Sequence, residues 1–101
     1  QPHRYSRTQL LLDELAKSFE QADYLVLSDI YAASEQPIEG VNAQVLLEKI
    51  KESSLNKEII YLEKEKIAGH IKEIIRPGDL VITLGAGDIS KVSDALAEEL
   101  K

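Results

Sequence analysis

Three short apolar runs, separated by amphipathic segments, constrain the fold of this chain more than any other feature. The runs comprise residues 24–28, 58–62 and 80–84. Each is continuous rather than alternating, which is typical of strands covered by helices on both faces. Apolar spacing predicts helices over residues 8–21, 43–53, 64–75 and 89–100. This alternation favours a parallel sheet with right-handed crossovers, so we predict a Rossmann-like three-layer α/β/α domain with a mostly parallel sheet.

The first predicted helix has no strand before it. Gln1-Pro-His3 has the character of a loop leaving the carboxyl end of a strand, so we expect the sheet to lack its first strand. The 101 residues contain no repeat and no linker and are predicted to form a single domain, residues 1–101. A domain of this size is too small to contain all the parts of a nucleotide-dependent enzyme. We therefore expect partner domains outside this sequence.

The composition excludes several classes of function. A hydrophobic fraction of 44% predicts a folded domain, and a net charge of −6 argues against a nucleic-acid surface. The sequence has no cysteine, and its two histidines form no zinc pattern, so no metal site is predicted. No apolar stretch approaches the roughly 20 residues of a membrane span. We expect a cytoplasmic chain.

The first seven residues place one imidazole and two guanidinium groups close together, at His3, Arg4 and Arg7. The plain interpretation is a solvated basic helix start, which is slightly unfavourable because a helix N-terminus is already positive. A bound anion would offset this unfavourable arrangement of positive charge, so the pattern favours an anionic ligand. A guanidinium matches a carboxylate in two hydrogen bonds, so the ligand could be an amino acid, although a phosphate remains an alternative.

A glycine-rich turn, Gly85-Ala-Gly-Asp88, follows the third apolar run and precedes a predicted helix. It resembles a dinucleotide-binding fingerprint only weakly, because Ser90 stands where the third glycine belongs. Two interpretations stay open: a tight turn whose glycines adopt positive φ, or backbone amides at a helix start that face an anion. The sequence has no phosphate-binding P-loop, so ATP chemistry would need another domain.

The predicted loop over residues 29–40 is longer than usual for an α/β unit, and long loops at strand ends often carry function. Its carboxylates, Asp29 and Glu35, could meet a metal or an ammonium group, but a solvated or capping role is favoured. His70 lies in a predicted amphipathic helix without a catalytic partner, so it is interpreted as structural or exposed.

Four motifs in register carry a family resemblance. They are Gln1-Pro-His-Arg-Tyr-Ser-Arg-Thr8, Asp29-Ile-Tyr-Ala-Ala33, Pro37-Ile-Glu-Gly40, and Gly78-Asp-Leu-Val81 with Gly85-Ala-Gly-Asp-Ile89. Together they resemble the C-terminal domain of the Mur ligase family, and within it the members that add L-alanine. Two departures stand out: Ser34 occupies a position where glycine is common, and the first strand of the family's domain is absent.

The resemblance implies the C-terminal, amino-acid-binding domain of an ATP-dependent ligase that joins L-alanine to UDP-N-acetylmuramate in peptidoglycan synthesis. The reaction proceeds through an acyl phosphate. By the same resemblance, ATP and Mg²⁺ are bound mainly by a central domain over which this one closes. No catalytic residue is therefore assigned in the chain, and the fragment alone is expected to be inactive and to bind no cofactor.

The resemblance also assigns the binding residues. The basic group that faces the alanine comprises His3, Arg4 and Arg7, and the residues lining the same cleft are Gly85, Ala86, Gly87 and Asp88. The wall of the cleft is assigned to Asp29, Tyr31, Ala32 and Ala33. Two alternatives remain: the related ligase that recycles whole peptides, and a stand-alone flavodoxin-like module that binds phosphate.

Overall fold

A computed structural model describes residues 1–53 and 57–101. In chain order the elements are α1 (Tyr5–Leu10), α2 (Leu12–Ala16), β1 (Tyr24–Leu27), α3 (Ala43–Ser53), β2 (Glu58–Tyr61), α4 (Lys64–Ile74) and α5 (Ser90–Glu99). None of the helices in these ranges is long and apolar enough to cross a membrane. The predicted elements therefore recur with bounds shifted by a few residues, except for the first helix and the strand predicted over residues 80–84.

The two strands form a parallel sheet with helices on both faces. Tyr24 lies beside Glu58, and Leu27 lies beside Tyr61. Successive strand residues point to opposite faces, so Leu27 joins the core under α2 and α3, whereas Val26 packs against the core under α4 and α5. This arrangement confirms the predicted α/β class, with a parallel sheet that lacks a strand.

Helix α3 carries the most deeply buried part of the core. Ala43, Leu46 and Ile50 are exposed by 2% or less and pack against α2 and the sheet. The Oδ1 atom of Asn42 accepts a hydrogen bond from the amide of Val45 at 2.9 Å, so Asn42 caps this helix. Val45 itself is only half-buried.

A second core cluster joins α4 to α5 on the other face of the sheet. Its buried members are Ile67, Ile89 and Val92. The cap residue before α5 is Ile89 itself, which makes no side-chain capping bond, so neither Asp88 nor Ser90 caps this helix. The start of α5 is consequently fixed by packing.

The third predicted strand, residues 80–84, is wrong for the residues that the structure describes. The segment has no regular secondary structure, and Leu80, Ile82 and Leu84 are 83%, 65% and 63% exposed. A strand exists only when a neighbour accepts and donates its backbone hydrogen bonds. β1 pairs only with β2 in the described sheet, so residues 80–84 have no strand beside them.

The single helix predicted over residues 8–21 is also wrong. Two short helices replace it, beginning three residues earlier at Tyr5 and breaking at Leu11. Three consecutive leucines cannot all face one core: Leu12 packs against it, whereas Leu10 is 82% exposed. Residues 17–21 form turns rather than continuing the helix.

Candidate functional site

The N-terminal segment lies against the loop that follows β1. His3 forms a parallel bridge with Tyr31, in which the amide of Tyr31 donates to the carbonyl of Pro2 at 2.8 Å. The amide of Arg4 in turn donates to the carbonyl of Tyr31 at 2.7 Å. Tyr31 lies just beyond the carboxyl end of β1, which is the edge where α/β proteins place ligand-facing loops.

The same segment reaches the glycine-rich turn at the other end of the sequence. The amino group of Gln1 donates to the carbonyl of Leu84 at 2.9 Å, and its side-chain Nε2 donates to Asp88 Oδ1 at 3.2 Å. Residues that are more than 80 positions apart in sequence thus meet directly. Gln1 thus joins the N-terminal basic residues to the glycine-rich turn, which are two of the three segments predicted to form the site; the third is the loop after β1. The sequence analysis did not identify Gln1 as a site residue.

Tyr31 connects all three segments. Its ring stacks on the ring of His3 with centroids 5.6 Å apart and planes 13° apart. The backbone of Gly87 lies so close that an added Cβ would be 2.7 Å from Tyr31 Cγ. A Cβ at Gly85 would similarly be 2.7 Å from Ile89 Cγ2. At both positions neighbouring side chains lie too close to the backbone to leave room for a Cβ atom, which explains the two glycines.

This geometry corrects one expectation for the turn. Neither Gly85 nor Gly87 has a positive φ, so the interpretation of a turn that needs left-handed glycines is wrong. Positive φ occurs instead at Gly40, Gly78 and three non-glycine residues.

Asp88 is the centre of a polar cluster rather than a helix cap. Its Oδ2 atom forms an ion pair with Lys64 Nζ, and both side chains are about 70% buried, with exposures of 29% and 31%. The hydrogen bond from Lys64 lowers the pKa of Asp88, with a further contribution from Gln1, and the same pair raises the pKa of Lys64. Lys64 was not predicted, although its position directly after β2 could have indicated it.

Asp29 has a partner at the same edge of the sheet. The hydroxyl of Tyr61, at the end of β2, donates to Asp29 Oδ1 at 2.7 Å. This bond raises the pKa of Tyr61 to about 12. Tyr61 was also missed, yet the parallel register makes it the neighbour of Leu27, two residues before Asp29. The carboxylate of Asp29 is thus hydrogen-bonded to Tyr61. It is neither fully solvated nor a helix cap, the two roles that the sequence favoured.

An open cleft of about 450 Å³ lies at this edge. Its lining comprises Gln1, Ser28, Asp29, Ile30, Tyr31, Tyr61, Glu63, Lys64, Glu65 and Asp88. Three residues predicted from the sequence are among them: Asp29, Tyr31 and Asp88. The other eight predicted residues are not part of this lining: His3, Arg4, Arg7, Ala32, Ala33, Gly85, Ala86 and Gly87.

The two arginines lie on the exposed side of the N-terminal segment. Arg4 precedes α1 with a φ of 68°, a conformation that L-residues rarely adopt, and Arg7 lies in the third position of the helix. Within residues 1–53 and 57–101, neither guanidinium lies within 4 Å of a carboxylate. Both are therefore available to an external anion.

The loop after Tyr31 closes back onto α1. Ala32 and Ala33 belong to a turn in which the amide of Glu35 donates to the carbonyl of Ala32 at 3.0 Å. Glu35 Oε1 accepts from the amide of Ser6 at 3.1 Å, so the capping role anticipated for this carboxylate is confirmed. Ser6 and Thr8, whose hydroxyls are of a type that commonly caps helices, lie inside α1 and do not precede it.

His70 lies away from this region, near the start of β1. Its Nε2 atom is 2.7 Å from the hydroxyl of Tyr24, which agrees with a structural role. In the part of the chain that the structure describes, no group of three or more histidine, aspartate and glutamate side chains could hold a metal ion.

Fold and site together define an α/β domain whose candidate site segments gather at the carboxyl edge of a parallel sheet. No protein-family profile matches the sequence. The chain is, however, 50% identical over its whole length to the UDP-N-acetylmuramate–L-alanine ligase of Syntrophotalea carbinolica and 48% identical to that of Geotalea uraniireducens. The ligase of Salinibacter ruber is 47% identical over 102 residues.

The chain spans only about a fifth of these relatives, 22%, 22% and 21% of their respective lengths. It is related over its whole length to UDP-N-acetylmuramate–L-alanine ligases and corresponds to a C-terminal part of such enzymes. The resemblance seen in the four motifs is thereby confirmed.

Proposed function

We propose that this chain is the amino-acid-orienting part of an ATP-dependent ligase that joins L-alanine to UDP-N-acetylmuramate in cytoplasmic peptidoglycan synthesis. The observation that carries the proposal is its identity of 40–50% with ligases of that name over 99–100% of the chain. These relatives are all named as L-alanine ligases, which favours L-alanine addition over peptide recycling.

In this proposal the basic segment holds the carboxylate of L-alanine. Arg4 and Arg7 are exposed, carry no carboxylate partner among the described residues, and present donor forks that suit a carboxylate. His3 stacks on Tyr31 and so keeps the segment beside the cleft. Fixing the amino acid orients its amine toward the activated carboxyl of the sugar nucleotide.

The glycine-rich turn and the loop after β1 complete the cleft. Asp29, Tyr31 and Asp88 belong to its lining. In the intact protein Gly85, Ala86 and Gly87 would lie beside the amino acid, and Ala32 and Ala33 would extend the wall that Asp29 and Tyr31 form. ATP and Mg²⁺ are assigned to the rest of the intact protein, because this sequence has no P-loop. The domain would then close over the ATP-binding domain of the same polypeptide.

The test is phosphate release by the intact ligase supplied with ATP, Mg²⁺ and UDP-N-acetylmuramate, with and without L-alanine. We expect release to depend on L-alanine. Arg7→Ala should raise the KM for L-alanine by a factor equivalent to roughly 1.5–3 kcal/mol, the value of a hydrogen bond to a charged group. Arg76→Ala is the matched control, because it removes an exposed guanidinium from a distant turn.

Three results would count against the proposal. Unchanged alanine kinetics in Arg7→Ala would remove this residue from the site. Release that required a peptide instead of L-alanine would indicate the recycling reaction. Tight phosphate binding by the chain, without any ligase activity of the intact protein, would favour a stand-alone binding module.

A further inference from the structure

The first turn of α1 has no cap from its own sequence. Arg4 occupies the capping position, and its side chain makes no capping hydrogen bond. The amides of the first turn have no partner inside a helix, so each needs an acceptor from elsewhere. Thr8 closes the first helical bond, with its amide 3.1 Å from the carbonyl of Arg4, so the amides of Tyr5, Ser6 and Arg7 have no acceptor inside the helix.

Glu35, 29 residues from Ser6 in sequence, supplies an acceptor for the amide of Ser6. Its Oε1 atom accepts from the amide of Ser6 at 3.1 Å, while its Oε2 atom accepts from the hydroxyl of the same residue. These bonds lower the pKa of Glu35, so the carboxylate stays charged beside the positive end of α1. One carboxylate thus holds the residue that lies between Arg4 and Arg7.

The loop that presents Glu35 is shaped for this contact. Ala33 and Ser34 both have positive φ, 50° and 73°, inside a four-residue turn closed from Ala32 to Glu35. This is the pattern of a type I′ turn, which ordinarily uses glycine or asparagine. Unfavourable backbone conformations persist where the surrounding structure over-determines them, and the bonds to Ser6 supply that constraint.

Glu35 holds the residues around Ser6 without a direct ion pair to either arginine, although the charge of Arg4 is near enough to contribute to its lowered pKa. No ion pair within 4 Å joins Glu35 to Arg4 or Arg7 anywhere in the described ranges. A carboxylate paired directly with either guanidinium would compete with the carboxylate of a substrate. By binding Ser6 instead, Glu35 fixes the backbone and leaves both guanidiniums exposed.

We propose that Glu35 is a positioning residue for amino-acid binding, which acts through Ser6 to hold Arg4 and Arg7 in a fixed orientation. This inference rests on the proposed function, in which those arginines hold the carboxylate of L-alanine. Glu35 itself contacts no substrate. Its effect is therefore confined to the affinity for the amino acid.

The experiment measures steady-state kinetics of the intact ligase, varying L-alanine and ATP separately. Glu35→Ala should raise the KM for L-alanine about tenfold, the equivalent of one charged hydrogen bond, while leaving the KM for ATP within about twofold. Glu35→Gln keeps an acceptor for the amide of Ser6 and a donor for its hydroxyl. It should therefore remain within about threefold of the parent enzyme.

Two variants complete the design. Glu39→Ala removes an exposed carboxylate from the same loop and should change neither KM. Ser6→Ala removes only the hydroxyl contact and should raise the KM for L-alanine about threefold, which keeps the proposal testable if Glu35→Ala does not fold.

An unchanged KM for L-alanine in Glu35→Ala, or in Ser6→Ala where the former does not fold, would overturn the inference. An equal rise in Glu35→Gln and Glu35→Ala would also overturn it, because charge rather than hydrogen bonding would then be responsible. If Arg7→Ala still raises the KM in these cases, the proposed function survives. If Arg7→Ala has no effect, the proposed function fails and this inference fails with it.

Discussion

Replacing Gly87 by alanine tests whether the short distance between the backbone of Gly87 and the ring of Tyr31 is the reason for glycine at this position. The new Cβ would lie 2.7 Å from Tyr31 Cγ and 2.9 Å from Cδ2. Because Tyr31 is 38% exposed, its ring can turn outward, but it then leaves the ring of His3. Overpacking costs about 1–3 kcal/mol, here at the low end, and a lost aromatic pair costs about 0.5–1.5 kcal/mol. We expect a destabilisation of about 2 kcal/mol.

The assay is urea unfolding of the chain, with Gly69→Ala as the matched control. Gly69 lies inside α4, is exposed, and has no atom within 4 Å of an added Cβ. The same chemical change should there stabilise the helix by about 1 kcal/mol, because alanine is the better helix former. Opposite signs for one substitution at two positions would isolate the contact with Tyr31.

A double-mutant cycle decides whether the ring is the obstacle. In a Tyr31→Ala background, Gly87→Ala should cost less than about 0.5 kcal/mol, because both ring atoms are gone and the remaining close atom, Gln1 Oε1 at 3.0 Å, is at the end of a flexible side chain. A cost that stays near its original value in that background would refute the reasoning. So would a stabilisation by Gly87→Ala comparable with that of Gly69→Ala.

Two further predictions concern the loop and the cleft. Ser34→Gly should raise the free energy of unfolding by about 0.5–1 kcal/mol in urea denaturation, because Ser34 has a φ of 73°, and Ser34→Ala should give no gain. Lys64 holds the pKa of Asp88 below its ordinary value of 3.8, so this contribution to stability is complete above that value and disappears as pH falls through the lower folded pKa. Asp88→Asn should therefore flatten the acid side of the stability profile measured by thermal unfolding, and a loss as steep as in the parent chain would contradict the assignment.

The elements that the sequence predicted correctly are those specified by neighbouring residues. Helix α3 has its cap at Asn42 and its buried stripe at Leu46 and Ile50, all within nine positions. Strands β1 and β2 are short apolar runs bounded by polar residues, and each finds the other as a partner. Local pattern suffices where the tertiary environment agrees with it.

The segments that were predicted wrongly depend on information outside their own residues. Residues 80–84 have the composition of a strand, but composition provides no backbone partner, and the described sheet places none beside them. The run Leu10-Leu11-Leu12 fits a helical stripe in several registers, and only packing decides that Leu12 turns inward while Leu10 stays exposed. Periodicity alone cannot distinguish these outcomes.

In the candidate site, too, the sequence predicts the chemistry of the side chains but not their positions. His3, Arg4 and Arg7 were identified because guanidinium and imidazole groups suit an anion, a property of the side chains themselves. Their positions depend on contacts with residues from Tyr31 to Glu35, which no local pattern connects to the N-terminus. Sequence could therefore indicate which groups suit an anion, but not which contacts hold those groups in place.

Ser34 is a residue whose importance can be judged only when the sequence and the structure are considered together. From the sequence it is a small departure at a position where the family often has glycine, with no evident consequence. In the structure it adopts the left-handed conformation that glycine accommodates readily, next to the residue that caps α1. The contacts of Glu35 with Ser6 must therefore offset a local backbone cost, so removing either contact should loosen the loop as well as the helix. A site assembled this way couples the loop after β1 to the orientation of Arg4, although the two lie about 30 residues apart.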